Sequence, residues 1–285
     1  MIMEENSFVP GLIAISDEEF VKISDLVYDK FGINLTDKKK SLVVGRLNKL
    51  IKSLGLKTFD EYYQTIINDK TNASLLSLID RISTNHTFFY REKDHFEYMR
   101  DKVLPELTSK IAKEKEKALR IWCAGSATGE EPYTIAMIVN EFFGYEINEW
   151  DVGILATDIS ITALEIAERG IYYLDRIKEL PLSYKNKYLK KNNAEDFAVI
   201  DKIKEMILFK RLNLMNDNFP FKGKFDIIFC RNVMIYFDKE TRERLVNKFY
   251  KYMSEGGYLF VGHSESLDRK VTPFSYLQPA VYKKL

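Results

Sequence analysis

From Leu119 onwards, short apolar runs alternate with amphipathic segments, and this alternation constrains the fold more than any other feature of the chain. The first run, LRIWCAG, is followed by PYTIAMIVNEFFG, which has helical spacing. Further strands are predicted by DVGILATDIS, KFDIIFCRN and GGYLFVGHSE, with helical segments between them. Strands that alternate with helices build a parallel sheet through crossover connections. The sequence therefore predicts an α/β fold with a doubly wound, mostly parallel sheet.

The first 80 residues show a different pattern, in which one predicted helix follows another. SDEEFVKISDLVYDKFG begins with Ser16 as a predicted N-cap, and Glu19 three residues later completes a capping box. Three more amphipathic segments follow it. We predict a helical N-terminal domain over 1–82, a linker and connecting helix over 83–118, and the α/β domain over 119–285.

Residues 171–209 interrupt the alternation of strands and helices. LPLSYKNKYLKK predicts a short helix, and FAVIDKIKEMILFKRLNL contains two or three strand-like runs. These runs predict a small antiparallel β insertion at about 171–209. The tail FSYLQPAVYKKL is predicted to close the main sheet with an antiparallel edge.

Composition limits the classes of partner. The chain has 43 Lys and Arg against 42 Asp and Glu, so a nucleic-acid partner is not favoured. No apolar run approaches the roughly 20 residues of a membrane helix, so direct membrane insertion is not expected. Cys123 and Cys230 each end an apolar run, which is typical of buried, reduced thiols in a cytoplasmic protein. The three histidines are scattered along the chain, and we expect no metal site.

The turn after the first strand reads GSATG and is followed at once by Glu130 and Glu131. It differs from the GxGxxG turn, whose helix N-terminus receives a pyrophosphate. Two carboxylates suit the helix dipole but repel phosphate. The turn therefore favours a cofactor with a cationic end and no phosphate, such as S-adenosylmethionine, whose ammonium group Glu131 would pair with.

Polar residues end the other predicted strands as well. Asp158 ends the second strand, where an acid can accept hydrogen bonds from two ribose hydroxyls. Ligands of open parallel sheets bind beyond the carboxyl ends of the strands. One crevice would therefore be lined by the residues at the predicted strand ends, which are Gly125, Asp158, Asn213, Leu214, Arg231 and Asn232. The alternative is that Glu130, Glu131 and Asp158 only cap helices or stabilise their first turns.

Several motifs, taken together and in this order, resemble the CheR family of chemotaxis receptor methyltransferases. They include TNHTFFYRE, GSATGEEPYTIA, LATDIS, LNLM, FDIIFCRNVMIYFD and GGYLFVGHSES, and the resemblance runs from the first helix to near the C-terminus. It implies methyl transfer from S-adenosylmethionine to glutamate side chains of chemotaxis receptors, which forms methyl esters and S-adenosylhomocysteine. It also implies a helical domain followed by a methyltransferase domain with a small antiparallel subdomain.

The resemblance also implies the site residues. Positions that match family residues around the cofactor are Asn85, Thr87, Arg91, Glu131, Asp158, Asn213, Leu214, Arg231 and Asn232. Arg91 and Tyr236 match the residues nearest the transferred methyl group and are the candidate catalytic residues. The alternatives are a linker salt bridge for Arg91 and a packed aromatic ring for Tyr236.

The second helical segment carries a basic side. At 100° per residue, one side holds Lys38, Lys39, Arg46, Lys49 and Lys52, opposite an apolar stripe. Such a side is either ordinary solvated surface or a docking face, and the resemblance favours docking of acidic receptor helices. An exposed strand edge in the β insertion is a second candidate contact, for a C-terminal receptor peptide, and the sequence leaves this contact open.

Three other functions remain as alternatives at this stage. One is a methyltransferase with a different substrate, and another is a non-enzymatic module that senses S-adenosylmethionine or S-adenosylhomocysteine. A nicotinamide dehydrogenase is the third, and the GSATG turn with its two glutamates disfavours it.

Overall fold

The computed structural model describes residues 11–113 and 117–285. They form two compact units with a boundary between Thr84 and Asn85. The helices of the first unit are α1 (Asp17–Phe31), α2 (Lys40–Ser53), α3 (Phe59–Asn68) and α4 (Ala73–Ile82). Their apolar stripes meet in one core, in which Ile23, Leu47 and Leu78 are fully buried. This unit is the predicted helical domain.

Helix α1 begins and ends as its sequence predicts. The Ser16 hydroxyl accepts a hydrogen bond from the Glu19 backbone N–H, and the Glu19 carboxylate accepts one from the Ser16 N–H. This reciprocal pair satisfies two N–H groups that have no partner inside the helix. At the other end Gly32 takes a left-handed conformation with φ of 69°, which glycine adopts without a steric penalty.

The second unit is the predicted α/β domain. Its helices are α5 (Lys93–Tyr98), α6 (Leu104–Ile111), α7 (Glu130–Phe143), α8 (Ile161–Arg169), α9 (Leu182–Tyr188), α10 (Asp201–Lys204) and α11 (Lys239–Lys251). Its strands are β1 (Ala118–Ala124), β2 (Asp151–Asp158), β3 (Ile171–Tyr173), β4 (Leu189–Lys191), β5 (Asp196–Val199), β6 (Ile207–Arg211), β7 (Phe225–Cys230), β8 (Met253–Val261), β9 (Ser275–Gln278) and β10 (Val281–Lys283).

The main sheet has seven strands in the order β6-β2-β1-β7-β8-β10-β9. The first five run parallel, and β10 and β9 form an antiparallel edge, which confirms the predicted role of the tail. β1 is the middle one of the five parallel strands, and its apolar residues are buried on both faces of the sheet. Since β2 and β7 flank β1, the carboxyl ends of these three strands lie side by side.

The small antiparallel insertion is present as a second sheet with the strand order β3-β5-β4. Its last strand is Asp196–Val199, so the sheet ends earlier than the predicted limit at residue 209. Residues Ile207–Arg211 instead form β6, the parallel edge strand of the main sheet. The predicted linker is also part of the α/β unit, because Phe89 and Tyr90 are buried in its core.

Both cysteines are buried and unpaired with each other, which confirms the interpretation as buried thiols. Burial raises the pKa of the Cys123 and Cys230 thiols well above its usual range. Across the described ranges, every helix is too short or too polar to cross a membrane.

Candidate active site

The turn after β1 brings the ends of β1, β2 and β7 together. The backbone N–H groups of Gly125 and Ser126 both donate to the carbonyl oxygen of Thr157, at 2.8 and 2.9 Å. Gly125 has φ of 97°, and a Cβ at this position would lie 2.3 Å from Cγ2 of Val233. Position 125 therefore requires glycine for both its backbone conformation and its close approach to the loop after β7.

Asp158 lies at the carboxyl end of β2 and holds the same turn from the other side. Its Oδ2 accepts a hydrogen bond of 2.8 Å from the Ala127 N–H, and its Oδ1 accepts one of 2.9 Å from the Ser160 N–H. Ser160, not Asp158, is the N-cap of α8, because its hydroxyl accepts from the Ala163 N–H. The buried carboxylate therefore orders the crevice wall, and the N-cap position of α8 belongs to Ser160.

The two glutamates at the start of α7 have different environments. Glu130 is buried, accepts a 2.6 Å hydrogen bond from the Thr128 hydroxyl and lies 3.5 Å from Nη1 of Arg176. Glu131 instead forms an ion pair of 3.1 Å with Nε of Arg231 at the end of β7. The first carboxylate therefore stabilises the turn, while the second belongs to the charged cluster beside it.

Arg231 is the centre of this charged cluster, and its side chain is only 2% exposed. Besides Glu131, it lies 3.6 Å from Oε2 of Glu92, and its Nη2 donates to the main-chain carbonyl of Arg91 at 2.5 Å. Its guanidinium also stacks over the ring of Phe96, 4.9 Å from the centroid. The linker residues 91–92 are thereby fixed against the carboxyl ends of β1 and β7.

The cluster alters the protonation of Glu131. Burial raises the pKa of the Glu131 carboxyl, and although the charge of Arg231 lowers it, the neighbouring Glu92 carboxylate adds to the rise, so that the pKa is about 7. A cation that bound beside Glu131 would favour the ionised carboxylate. The carboxylate is therefore placed to bind a cationic group, with an affinity that depends on pH near neutrality.

Asn232 follows Arg231 and takes a left-handed conformation with φ of 59°. Its Nδ2 donates to Oε1 of Glu92 at 3.1 Å, and its backbone N–H donates to Oε2 of Glu265 at 2.7 Å. The contacts of Asn232 therefore join the linker, the loop after β7 and the loop after β8.

Glu265 is not among the site residues predicted from the sequence. It is only 4% exposed, and besides Asn232 it accepts hydrogen bonds from the N–H groups of Gly262 (2.6 Å) and Ile235 (3.1 Å). It therefore organises the loop that leads to Tyr236. The motif GHSE, which carries a lone acid just after an apolar strand, was the available signal.

Several buried polar atoms around this cluster have no hydrogen-bond partner within the described part of the chain. They are Oγ of Ser126, Oε2 of Glu92, Nη1 of Arg231 and Oδ1 of Asn232. Buried polar groups are normally paired, so a set of unpaired donors and acceptors at one crevice indicates a ligand. This mixed set, with a carboxylate beside it, fits a cofactor that has both cationic and hydroxyl groups.

The remaining predicted cofactor residues have varied surroundings. Thr87 is buried, and its carbonyl accepts a hydrogen bond from Arg176. Asn213 follows β6, where its Oδ1 accepts from the Met215 N–H at 3.0 Å. Leu214 packs into the apolar cluster that contains Trp122. The side chains of Asn85 and Tyr236 are half-buried.

Although the histidines are scattered along the sequence, the fold brings His95 and His263 together, with ring centroids 4.6 Å apart. Ligand atoms of Glu92, His95 and His263 lie within 4.8 Å of one another. Burial and, to a lesser degree, the charge of Arg231 lower the pKa of His95 to about 3. Because the same guanidinium would repel a metal cation, we do not assign a metal to this cluster.

The predicted docking residues are not equivalent. Lys38 and Lys39 lie in a short 3₁₀ turn before α2, and Lys49 is an exposed residue of α2. Arg46 is half-buried and donates to the carbonyls of Ile82 and Ser83 and to the Thr84 hydroxyl at the end of α4. Lys52 bonds the carbonyl of Gly11. Arg46 therefore stabilises a helix end, whereas Lys38 and Lys49 are exposed to solvent.

Comparison with known proteins agrees with this architecture. The family model for the "CheR methyltransferase, all-alpha domain" matches residues 18–83, and that for the "CheR methyltransferase, SAM binding domain" matches 85–282. The chemotaxis protein methyltransferase of Borreliella burgdorferi is 48% identical over 272 residues, which cover 95% of this chain and 96% of the relative. The chemotaxis protein methyltransferase of Salmonella typhimurium is 34% identical, over 95% of this chain and 91% of that relative.

Proposed function

Because this chain belongs to the CheR methyltransferase family, we propose that it transfers the methyl group of S-adenosylmethionine to glutamate carboxylates of chemotaxis receptors. The products are glutamate methyl esters and S-adenosylhomocysteine. Reversible neutralisation of receptor carboxylates would serve sensory adaptation, a part of signal transduction, on the cytoplasmic side of the membrane.

One observation carries the proposal for the cofactor, namely the carboxylate of Glu131 at the N-terminus of α7 beside unpaired polar atoms. This position would receive phosphate in a dinucleotide fold, and a carboxylate there favours an ammonium group instead. Asp158 would accept the ribose hydroxyls. The other residues proposed to line the cofactor are Asn85, Thr87, Arg91, Asn213, Leu214, Arg231 and Asn232.

When bound, S-adenosylmethionine would supply a methyl group activated by a positive sulfonium. A glutamate carboxylate, with a pKa of about 4.3, is already ionised at neutral pH and needs no general base. The protein would therefore contribute alignment, which can lower a barrier by up to roughly 7–11 kcal/mol. It would also replace the water around the two charged reactants with fixed dipoles.

Arg91 and Tyr236 are proposed to hold the incoming carboxylate. The main chain of Arg91 is fixed by Arg231, and its guanidinium donates one hydrogen bond to the carbonyl of His86. An arginine has five N–H donors, so others remain for a carboxylate. The Tyr236 hydroxyl would donate to one carboxylate oxygen. Both interactions must strengthen in the transition state if they are to raise kcat.

The proposed partners are the cytoplasmic domains of chemotaxis receptors, whose methylated helices are acidic. Lys38 and Lys49 expose positive charge on the helical unit and would steer such helices by long-range attraction. In the antiparallel β3-β5-β4 sheet, β3 and β4 are edge strands. Edge strands can pair with an extended peptide, so this sheet is the proposed site for a receptor C-terminal peptide.

Receptor membranes and S-adenosylmethionine with a labelled methyl group test the function. The proposal predicts label on the receptor that is released as methanol by base, since esters hydrolyse in base and methylated amines do not. Tight binding of the cofactor without transfer would favour a sensor module. Transfer only to other substrates, with base-stable label, would favour a different methyltransferase.

A further inference from the structure

One face of the main sheet lacks the crossover helix that normally covers it. Parallel sheets bury both faces, because each crossover contributes a helix. The connection from β6 to β7 spans residues 212–224, and this segment, described throughout, forms no helix. Its aromatic residues cover Trp122 of β1, where Phe219 and Phe221 pack against the indole at 5.3 and 4.9 Å. The neighbouring face of β2 and β6 is left open.

A groove of about 400 Å³ occupies this open face. Its floor is apolar and includes Leu155 of β2, Leu208 of β6 and Phe221. Leu208, the second residue of β6, is 55% exposed, which is high for a leucine within a sheet strand. The groove extends from Arg120 near the start of β1 to Arg211 at the end of β6, and therefore runs along the strands. Crossover helices pack along the strands in the same way.

The rim of the groove is strongly basic. Arg120, Lys210, Arg211, Lys222 and Lys224 line it, and no aspartate or glutamate lines it among the residues that the structure describes. Arg120 is bonded to Asp151, and Nε of Arg211 donates to the carbonyl of Ile159 at 3.2 Å. The three lysines are exposed. Since the whole chain has a net charge of only +1, this concentration of positive charge is local.

We propose that the groove docks an acidic amphipathic helix of the substrate receptor, in the place where a crossover helix would pack. The apolar side of that helix would cover Leu155, Leu208 and Phe221, and its carboxylates would face the basic rim. This inference rests on the proposed function, because the receptor helices that carry methylated glutamates are acidic. A helix of about three turns matches the length of β6, at roughly 3.3 Å per strand residue and 1.5 Å per helix residue.

The groove differs in chemistry from the exposed lysines of the helical unit, because it combines positive charge with an apolar floor. A partner that was only acidic would leave Leu208 in water, and a partner that was only apolar would leave the rim without counter-charges. Amphipathic helices bind grooves through apolar anchors spaced along one side. The combination therefore selects an acidic amphipathic helix.

The test uses the full chain and a purified cytoplasmic receptor fragment without lipid. Lys222→Glu/Lys224→Glu reverses two rim charges, and Lys102→Glu/Lys113→Glu is the matched control on exposed lysines elsewhere in the α/β unit. We expect the rim variant to raise the KM for the receptor fragment at least fivefold at low salt, with kcat unchanged. The salt dependence of this KM should also flatten, because fewer charges would be screened. The control variant should match the wild type.

Leu208→Ser tests the apolar floor without a change in charge. We expect it to raise the same KM at least threefold and to leave the KM for S-adenosylmethionine unchanged. If the wild-type enzyme methylates receptors but both groove variants keep the wild-type KM for the fragment, the inference is wrong. Absence of methylation by the wild type would instead overturn the proposed function. Loss of binding to vesicles with anionic lipid, with the fragment unaffected, would assign the rim to a membrane surface and also overturn the inference.

Discussion

Glu131 and Arg231 form an ion pair at the carboxyl ends of the central strands, with Nε of Arg231 3.1 Å from Oε2 of Glu131. The Arg231 side chain is 2% exposed, so its charge has little access to water. Arg231 also lies 3.6 Å from Glu92, so its removal would leave two carboxylates without their shared cation. Such a loss from a buried ion pair costs about 3–5 kcal/mol. The pair therefore fixes the position of the carboxylate that is proposed to bind the cofactor.

The glycine turn predicts a measurable difference between two alanine substitutions. Gly125→Ala places a Cβ 2.3 Å from Val233 and forces alanine into a left-handed conformation. The conformation costs about 1–2 kcal/mol, and overpacking adds about 1–3 kcal/mol. Gly55 also has a positive φ, of 74°, but nothing lies within 4 Å of its Cβ position. Gly55→Ala should therefore lose only the conformational part in the urea-derived free energy of unfolding.

A second substitution can relieve the overlap between the new Cβ at position 125 and Val233. Val233→Ala in the Gly125→Ala background should recover part of the lost free energy, since the overlap is reduced while the backbone strain remains. Equal losses for Gly125→Ala and Gly55→Ala would show that the turn does not press against the loop after β7.

Substitution of Glu265 should lower both the stability of the protein and its turnover. Its two oxygens accept from three backbone N–H groups, and Glu265→Gln replaces one oxygen with an NH₂ group that faces a donor. An unsatisfied buried donor costs about 1–3 kcal/mol. Thermal unfolding should shift accordingly, and kcat should fall because the loop that leads to Tyr236 moves. Glu255→Gln is the control, since Glu255 is 63% exposed in its salt bridge with Lys284.

Substitution of Arg91 should lower turnover with little loss of stability. Arg231 bonds the main-chain carbonyl of Arg91, so Arg91→Ala removes the guanidinium but keeps this link. We expect kcat to fall on the order of 100-fold, as for the loss of one transition-state donor. Tyr236→Phe should lower kcat less, because it removes a single hydroxyl. Full turnover by Arg91→Ala would remove Arg91 from the mechanism.

The basic residues of the helical unit predict a separation between docking and stability. Lys38→Glu/Lys49→Glu should raise the KM for receptor several-fold and leave the melting temperature unchanged, because both side chains are exposed. Arg46→Gln removes hydrogen bonds to the end of α4 and should lower the melting temperature. An unchanged KM for the lysine variant would identify these residues as ordinary solvated surface.

Local pattern was sufficient to predict much of the fold. Alternation of runs predicted the parallel strands, and the position of the GSATG turn after β1 placed Glu131 at the start of a helix. The run ILFKR has alternate residues buried, as in any half-covered strand, and does not specify its neighbours. Its pairing with β2 instead of the small sheet is decided by tertiary contacts, which explains the misplaced end of the insertion.

The parts of the site that were missed depend on residues far apart in sequence. Glu265 contacts Asn232 across 33 positions, and Arg231 contacts the linker carbonyl of Arg91 across 140. His95 and His263 meet only because both flank the same loop cluster. The local periodicity of the sequence cannot predict contacts between residues this far apart. The open face of β2 and β6 could not be predicted for the same reason. The strand order must be known before the missing crossover helix can be assigned to a face of the sheet.

The most direct test of the central claim is calorimetric titration of S-adenosylmethionine into the wild type and Glu131→Gln between pH 6.0 and 7.5. Burial holds the pKa of Glu131 at about 7, so the carboxylate is mostly protonated at the lower pH and ionises as the pH rises. Wild-type affinity for the cationic cofactor should therefore increase across this range, while Glu131→Gln should bind at least tenfold more weakly at pH 7.5 and show no such increase. Equal affinity and equal pH dependence in the two proteins would contradict the claim that this carboxylate selects the cofactor.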